Sequence, residues 1–391
     1  MTPPLRHAAG GDVLPPPRAG HRAAGDPRRR RIRRVAQALL SVALVAGIFG
    51  FALPRLADFA DVWATIARMT WREAAVLVVA AALNLAGSWL VMIASLPGST
   101  LWQSALVNQA STAVSNTIPA GGAIAAGVTY AMYGSFGFTV PQITLSVLVS
   151  GIWNNFVKFG MPAVALAVLA FQGRASAQLV TATAVGIAAL AGALALFALA
   201  LWREELARRT GAALGRAASA ALRLARRPPV RGWDGAAARL RVQVIELVHD
   251  RWARLTWTSV LSQLLLFAVL LIALRAVGVS QDEVDWVQAL AAFSFGRLVT
   301  ALPVTPGGLG VMELTLTAAL VAAGGDATPV AAAVLVYRAL TYLPPIVLGG
   351  PAYVVWRVRY GGHAHVAAAR SARGGRAHPR STGGPTRGTR T

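Results

Sequence analysis

Ten long apolar runs, separated by short polar or basic segments, constrain this chain more than any other feature. A membrane crossing needs about 20 apolar residues, whereas runs of about 10–14 are more typical of re-entrant segments. Charged residues make up only 13% of the chain, against about 25% in a soluble globular domain. We therefore predict an all-α polytopic membrane protein with about eight full transmembrane helices plus short re-entrant or broken helices. The runs cover roughly 35–53, 74–96, 101–118, 121–137, 143–170, 178–202, 256–277, 286–302, 311–324 and 329–356.

The positive charge lies at the edges of these runs. Of 36 Arg, nine lie in residues 1–34, twelve in 203–255 and eight in 357–391. Basic segments beside apolar runs are typical of cytoplasmic loops, whereas a nucleic-acid-binding domain carries its Arg on a folded basic face. The acidic loop 278–285 fits the opposite side of the membrane. We expect a multi-pass protein of a bacterial inner membrane with both termini in the cytoplasm, and no nucleic-acid partner.

The same pattern divides the chain into five parts. We predict a disordered basic N-terminus (1–34), a first transmembrane half (35–202), a basic cytoplasmic loop (203–255), a second transmembrane half (256–357) and a disordered basic tail (358–391). An uncleaved first span is the preferred interpretation of the apolar run after the N-terminal Arg cluster, and a cleaved signal peptide is the alternative.

A sequence pattern recurs in the two transmembrane halves. The Pro/Gly segment Pro119–Gly122 is followed 43 residues later by Pro162, and Pro303–Gly310 is followed 41 residues later by Pro344. Counting crossings places the two copies in opposite orientation, which is the inverted-repeat plan of many transporters. The alternative is chance recurrence of Pro and Gly in a Gly-rich membrane protein.

The second Pro/Gly segment must interrupt a helix, because it holds two prolines and three glycines within eight residues. Such a break at membrane depth needs protein or water to satisfy the freed backbone groups. Its bare N–H groups and the helix restarting near Val311 suit an anionic group such as phosphate. An ordinary loop between two spans is the alternative.

Ionisable residues inside the apolar runs are scarce. Lys158, Arg297, Glu313 and Arg338 lie within a run or at a break. Because a charge at the bilayer centre is costly, these groups should pair or face a cavity. We expect Glu313 to pair with Arg297 or Arg338. Two cations and a paired carboxylate suit an anionic or zwitterionic lipid headgroup, and a salt bridge that only pins helices together is the alternative.

Amide side chains add a neutral polar lining, for which helix packing is the alternative explanation. Cysteine is absent and the six His lie in the tails or the basic loop, so we predict no catalytic residue, no metal site and no cofactor. The candidate substrate-binding residues are Arg297, Glu313, Arg338, Lys158, Pro303, Pro306, Gly307, Gly308, Gly310, Asn116, Pro119, Gly121, Gly122, Asn154 and Asn155.

The order Arg297, Pro303-x-x-Pro306-Gly307-Gly308-x-Gly310-x-x-Glu313, Arg338 resembles the hallmark of the lysylphosphatidylglycerol synthase transmembrane-region family. The resemblance covers roughly residues 35–357 and implies translocation of a modified phospholipid between leaflets. In family members Arg and Glu often flank the first Pro-Gly turn, where this chain has Pro119-Ala120-Gly121-Gly122. The family's aminoacyl-transferase domain has no counterpart after residue 357, so we expect no lysylphosphatidylglycerol synthesis by this chain.

These observations favour a flippase-like protein whose partners are membrane lipids, namely an anionic or aminoacylated phospholipid. Three alternatives stay open at this point. They are a membrane-embedded transferase acting on a lipid-linked substrate, a non-catalytic scaffold that anchors partners through its Arg-rich segments, and a small-solute transporter.

Overall fold

The computed structural model of the protein describes residues 59–118, 121–172, 233–299 and 308–374, with isolated positions between 181 and 216. The predicted N-terminal tail 1–34 and first span 35–53 lie outside the described residues. In the described ranges the chain forms nine helices, namely α1 (Phe59–Ala67), α2 (Trp71–Ser95), α3 (Leu101–Thr117), α4 (Gly121–Ser135), α5 (Val140–Phe171), α6 (Trp233–Ala276), α7 (Trp286–Val299), α8 (Val311–Ala322) and α9 (Ala327–Gly374).

Local sequence signals set several of these boundaries. Helices α2, α3 and α5 each follow a Thr that stands three residues before a Glu or Gln. In α2 and α3 the two residues cap the helix reciprocally, and at the start of α5 Gln142 accepts hydrogen bonds from Thr139. Helix α3 ends because Ile118 takes an extended conformation (φ −107°, ψ 127°), as a residue before a proline does.

Four of the described helices are long and apolar enough to cross a membrane: α2, α5, Arg239–Ala276 of α6 and Ala327–Tyr360 of α9. Even the 25 residues of α2 extend about 37 Å, which exceeds the hydrocarbon thickness of about 30 Å. Val79, Val164 and Val347 on these helices are exposed, as lipid-facing side chains would be. The prediction of an all-α polytopic membrane protein is confirmed.

The first short pair, α3 and α4, forms a helical hairpin. Its 17-residue arm α3 measures about 26 Å, too short to cross the hydrocarbon region. Helix α9 lies along this hairpin: Tyr342 contacts Asn116 near the hairpin tip, and Trp356 contacts Ser135 at its base. The hairpin therefore enters the bundle from the end where α9 finishes.

The second short pair, α7 and α8, forms a hairpin that enters from the opposite end. At its base, the amide of Gln288 donates to the carbonyl of Ala323. At its tip, Glu313 in the first turn of α8 contacts Arg338 of α9. The tips of the two hairpins thus meet α9 at residues 338 and 342, one helical turn apart.

The helix contacts repeat between the two halves. Helix α3 packs on α9 and α7 packs on α5, while α2 and α6 pack on each other. If α2, α3, α4 and α5 are matched in that order with α6, α7, α8 and α9, each of these contacts has a counterpart in the other half. The hairpin contact α3–α4, for example, corresponds to α7–α8. This is the pairing that two inverted repeats produce, and it agrees with the predicted repeat.

The two ends of the bundle differ in charge. The basic end is the end of the bundle where α6 begins and α9 finishes, and it carries Arg239, Arg241, Arg251, Arg254, Arg357 and Arg359. The acidic end is the opposite end, where Asp282, Glu283 and Asp285 join α6 to α7. The acidic end also carries Arg72 and Arg275, so the two ends differ in their balance of acidic and basic residues.

Two predicted boundaries fall inside helices. Helix α6 begins at Trp233, so the boundary at residues 255 and 256 lies within one continuous helix. Helix α9 continues to Gly374, so the segment 358–374, which the sequence predicts to be disordered, is helical. Ala367–Ala369 in that segment favour a helix, because Ala has the highest helix propensity.

Candidate functional site

An ion pair lies where the two hairpin tips meet. Helix α8 begins after Gly310, whose φ of +78° is a conformation that favours glycine. Glu313 then lies in the first turn of α8, where the positive end of the helix dipole stabilises a carboxylate. Its Oε1 accepts a 2.8 Å bond from Nε of Arg338, and the Glu313 side chain is only 1% exposed. Of the two predicted partners of Glu313, the structure places Arg338 in this contact.

Tyr342 connects this ion pair to the first half of the chain. The Arg338 guanidinium lies 5.0 Å from the centroid of the Tyr342 ring, within the range of a cation–π contact. The Tyr342 hydroxyl donates a 2.7 Å hydrogen bond to the carbonyl oxygen of Asn116. Two neighbouring side chains of α9 therefore reach the two hairpin tips, Tyr342 at Asn116 and Arg338 at Glu313.

Two further cations continue from Arg338 along the same region. Arg297, in the last turn of α7, is near enough to Arg338 for their charges to interact. Lys158 of α5 interacts electrostatically with Arg297. The structure thus brings together the four ionisable residues that the sequence singled out, three of them cations and one an anion. We call these four residues the charge cluster.

The start of α4 adds positive potential beside the charge cluster. Like α8, α4 begins at a hairpin tip, so two helix N-termini with their free N–H groups lie where the tips meet. Gly121 is buried, and a Cβ there would collide with the Val114 carbonyl of α3. Gly122 is exposed, with open space around it. The tight turn of the hairpin therefore requires a glycine at residue 121 and does not require one at residue 122.

Two buried oxygen atoms near the start of α8 accept or donate no hydrogen bond within the described residues. They are Oε2 of Glu313 and Oγ1 of Thr317, one helical turn further on. Both side chains are 1% exposed. Buried polar atoms are normally hydrogen-bonded, so these two make the start of α8 a polar region beside the ion pair.

The remaining candidate residues divide into three sets. Asn154 accepts a 2.6 Å hydrogen bond from Gln263 of α6, whereas Asn155 is exposed. Gly308 has a φ of +69° just before α8. Pro119, Pro303, Pro306 and Gly307 lie outside the described residues.

Tyr342 and Gln263 belong to the site region, and sequence analysis did not select them. Tyr342 lies four residues after Arg338, and this spacing places both on one face of a helix. Gln263 is an amide within the apolar run 256–277. Both signals were available, but neither specified the partner on another helix.

The sequence was compared with known proteins. The family model described as lysylphosphatidylglycerol synthase TM region matches residues 38–349, about four fifths of the chain. Among curated proteins, no sequence matches this chain. The family match includes both hairpins and every member of the charge cluster. The chain is an integral membrane protein and belongs to the lysylphosphatidylglycerol synthase TM region family.

Proposed function

We propose that the protein translocates the headgroup of a phospholipid between the two leaflets of a membrane. The observation that carries this proposal is the charge cluster at the meeting point of two hairpins that enter from opposite ends. A cluster of charges at that depth is energetically costly, so its presence favours a functional role. The family name also connects the protein with lipids.

The charge balance favours an anionic headgroup. Lys158, Arg297 and Arg338 supply three positive charges, and Glu313 neutralises one of them. The N-termini of α4 and α8 add partial positive charge at the same place. A phosphate there would interact with cations and free N–H groups, while its acyl chains remained in the lipid.

The inverted hairpins suggest how access alternates between leaflets. Each hairpin covers the charge cluster from one end, and in inverted-repeat transporters one repeat moves against the other around a fixed site. We place the basic end in the cytoplasm of a bacterial inner membrane, since Arg-rich segments remain on that side. The charge cluster binds and positions the headgroup, and no covalent step is part of this proposal.

Reconstitution into liposomes tests the proposal. Labelled anionic, zwitterionic and aminoacylated phospholipids are loaded separately, and translocation is followed by protection of the label from a membrane-impermeant quencher. The test variant is Glu313→Gln/Arg338→Gln, which removes both charges without leaving either one buried alone. We expect the wild type to move the anionic lipid, and the double variant to be slower by at least about tenfold, or about 1.4 kcal/mol.

Arg359→Ala is the matched control, because Arg359 is exposed on the same helix α9 and far from the charge cluster. We expect this variant to translocate like the wild type. Equal lipid movement in liposomes with and without wild-type protein would contradict the proposed function. Equal rates for the wild type and the double variant would show that lipid moves by another path.

A further inference from the structure

A stripe of polar side chains runs along the contact between α5 and α6. On α6, Thr256, Ser259 and Gln263 have the spacing i, i+3, i+7 and share one face. On α5, Asn154 and Lys158 are four residues apart and also share a face. We call these five residues the polar track.

Hydrogen bonds show that the two faces meet. The amide of Gln263 donates to Asn154 Oδ1 at 2.6 Å. Nearer the basic end, Thr256 accepts a 3.0 Å hydrogen bond from the indole of Trp153. Polar groups of the two helices therefore contact each other over two successive turns.

The polar track connects the basic end with the charge cluster. At one end, the exposed indoles of Trp252 and Trp257 mark the level of the membrane interface. From Thr256 to Gln263, and then from Asn154 to Lys158, the track extends about 16 Å at 1.5 Å per residue. That is about half the hydrocarbon thickness.

The track is closed in this structure and its polar atoms are incompletely satisfied. Ser259 is 1% exposed and Gln263 is 4% exposed. Within the described residues, Oγ of Ser259 and Oε1 of Gln263 have no hydrogen-bond partner. A purely structural contact between membrane helices would be expected to be apolar or fully satisfied. At a helix interface that opens to water, by contrast, water can satisfy these polar atoms in the open state.

We propose that the polar track is the gated aqueous entrance through which a headgroup from the leaflet at the basic end reaches Lys158. The Asn154–Gln263 hydrogen bond closes this entrance. For its cargo, the inference rests on the proposed function. The opening of the track to water can be measured without any lipid transport.

Because the chain has no cysteine, thiol labelling has no background. The test variant is Ser259→Cys, a substitution of similar size within the track. The control is Ser95→Cys, which lies at the end of α2, nearer the basic end, and is also 1% exposed. Ser95 differs because its hydroxyl pairs with Ser146 at 2.8 Å. Each protein is reconstituted and treated with anionic and cationic methanethiosulfonate reagents present on both sides of the membrane.

We expect Ser259→Cys to react at least about tenfold faster than Ser95→Cys, because thiolate forms where water reaches the side chain. We also expect the anionic reagent to react faster than the cationic one, and this preference to fall when Lys158→Gln is added. If both cysteines were labelled at the same slow rate, the proposal of an aqueous entrance would be overturned. Labelling without charge preference would overturn its connection to the charge cluster. A failed lipid translocation assay would contradict the proposed function, whereas the two labelling results would still test the aqueous entrance.

Discussion

Tyr342 of α9 donates a 2.7 Å hydrogen bond to the backbone carbonyl of Asn116, while its ring lies 5.0 Å from the Arg338 guanidinium. Asn116 is at the tip of the hairpin α3–α4, and Arg338 pairs with the tip of the hairpin α7–α8. Tyr342 and Arg338 of α9 therefore link the tips of the two hairpins. A movement of one hairpin relative to α9 must change this contact.

Removing the Tyr342 hydroxyl should weaken this connection and keep the ring contact with Arg338. We expect Tyr342→Phe to lower the free energy of unfolding by about 1 kcal/mol, the net value of a typical hydrogen bond. Tyr342→Leu should cost more, because the cation–π contact is lost as well. Thermal unfolding in detergent measures both. Thr341→Val is the control, since the Thr341 hydroxyl donates within α9, to the carbonyl of Tyr337. A Tyr342→Phe protein as stable as the wild type would contradict the connection.

The ion pair between Glu313 and Arg338 should behave as a coupled unit. Arg338→Gln leaves a buried carboxylate without its charged partner, and we expect a loss of about 3–5 kcal/mol in the free energy of unfolding. The double variant Glu313→Gln/Arg338→Gln should lose less than the sum of the two single variants. A double-mutant cycle from denaturation curves in detergent gives the coupling directly. Additive losses would mean that the two side chains do not stabilise each other.

Gly349 and Gly350 are adjacent on α9 and offer a matched pair. A Cβ at Gly349 would collide with Cβ of Ala113 and lie 2.7 Å from the Gln109 carbonyl of α3. We expect Gly349→Ala to separate α3 from α9 and to cost about 1–3 kcal/mol, as overpacking does. At Gly350 a Cβ meets open space, so Gly350→Ala should be neutral or stabilising. Melting temperatures of the two purified variants would have to differ, and equal values would contradict the close contact.

The first hairpin tip provides a second matched pair. A Cβ at Gly121 would collide with the Val114 carbonyl, whereas Gly122 faces open space. We expect Gly121→Ala to shift the start of α4 and to slow lipid translocation, while Gly122→Ala keeps the wild-type rate. Translocation in liposomes measures both variants, and circular dichroism checks that the helices remain. If both variants were equally active, the tight return at Gly121 would not matter for transport.

Much of the fold follows from the sequence, because membrane helices depend on local composition. Eight apolar runs coincide with α2–α5 and α6–α9. The charge cluster was also predictable, because an unpaired charge in hydrocarbon is costly and the four ionisable residues are therefore expected to pair or face a cavity. Lys158 and Arg297 come from different halves of the chain, and the inverted repeat brings them together.

Other features depend on how helix faces meet, which the sequence does not specify. Nothing local pairs Tyr342 with a backbone carbonyl 226 residues away. The bond between Asn154 and Gln263 likewise depends on the rotation of α5 against α6. The helical continuation of α9 to Gly374 was missed because glycine and arginine in that segment resemble a disordered tail, although its alanines sustain the helix.

Photochemical cross-linking of the headgroup tests the central claim most directly. Phosphatidylglycerol with a diazirine beside its phosphate is reconstituted with the wild-type protein and irradiated, and adducts are located by mass spectrometry of peptides. We predict adducts around Lys158 and Arg338 that decrease with excess unlabelled phosphatidylglycerol and in Glu313→Gln/Arg338→Gln. Adducts confined to lipid-facing positions such as Val164 and Trp257, and unchanged by competitor, would contradict a headgroup site at the charge cluster.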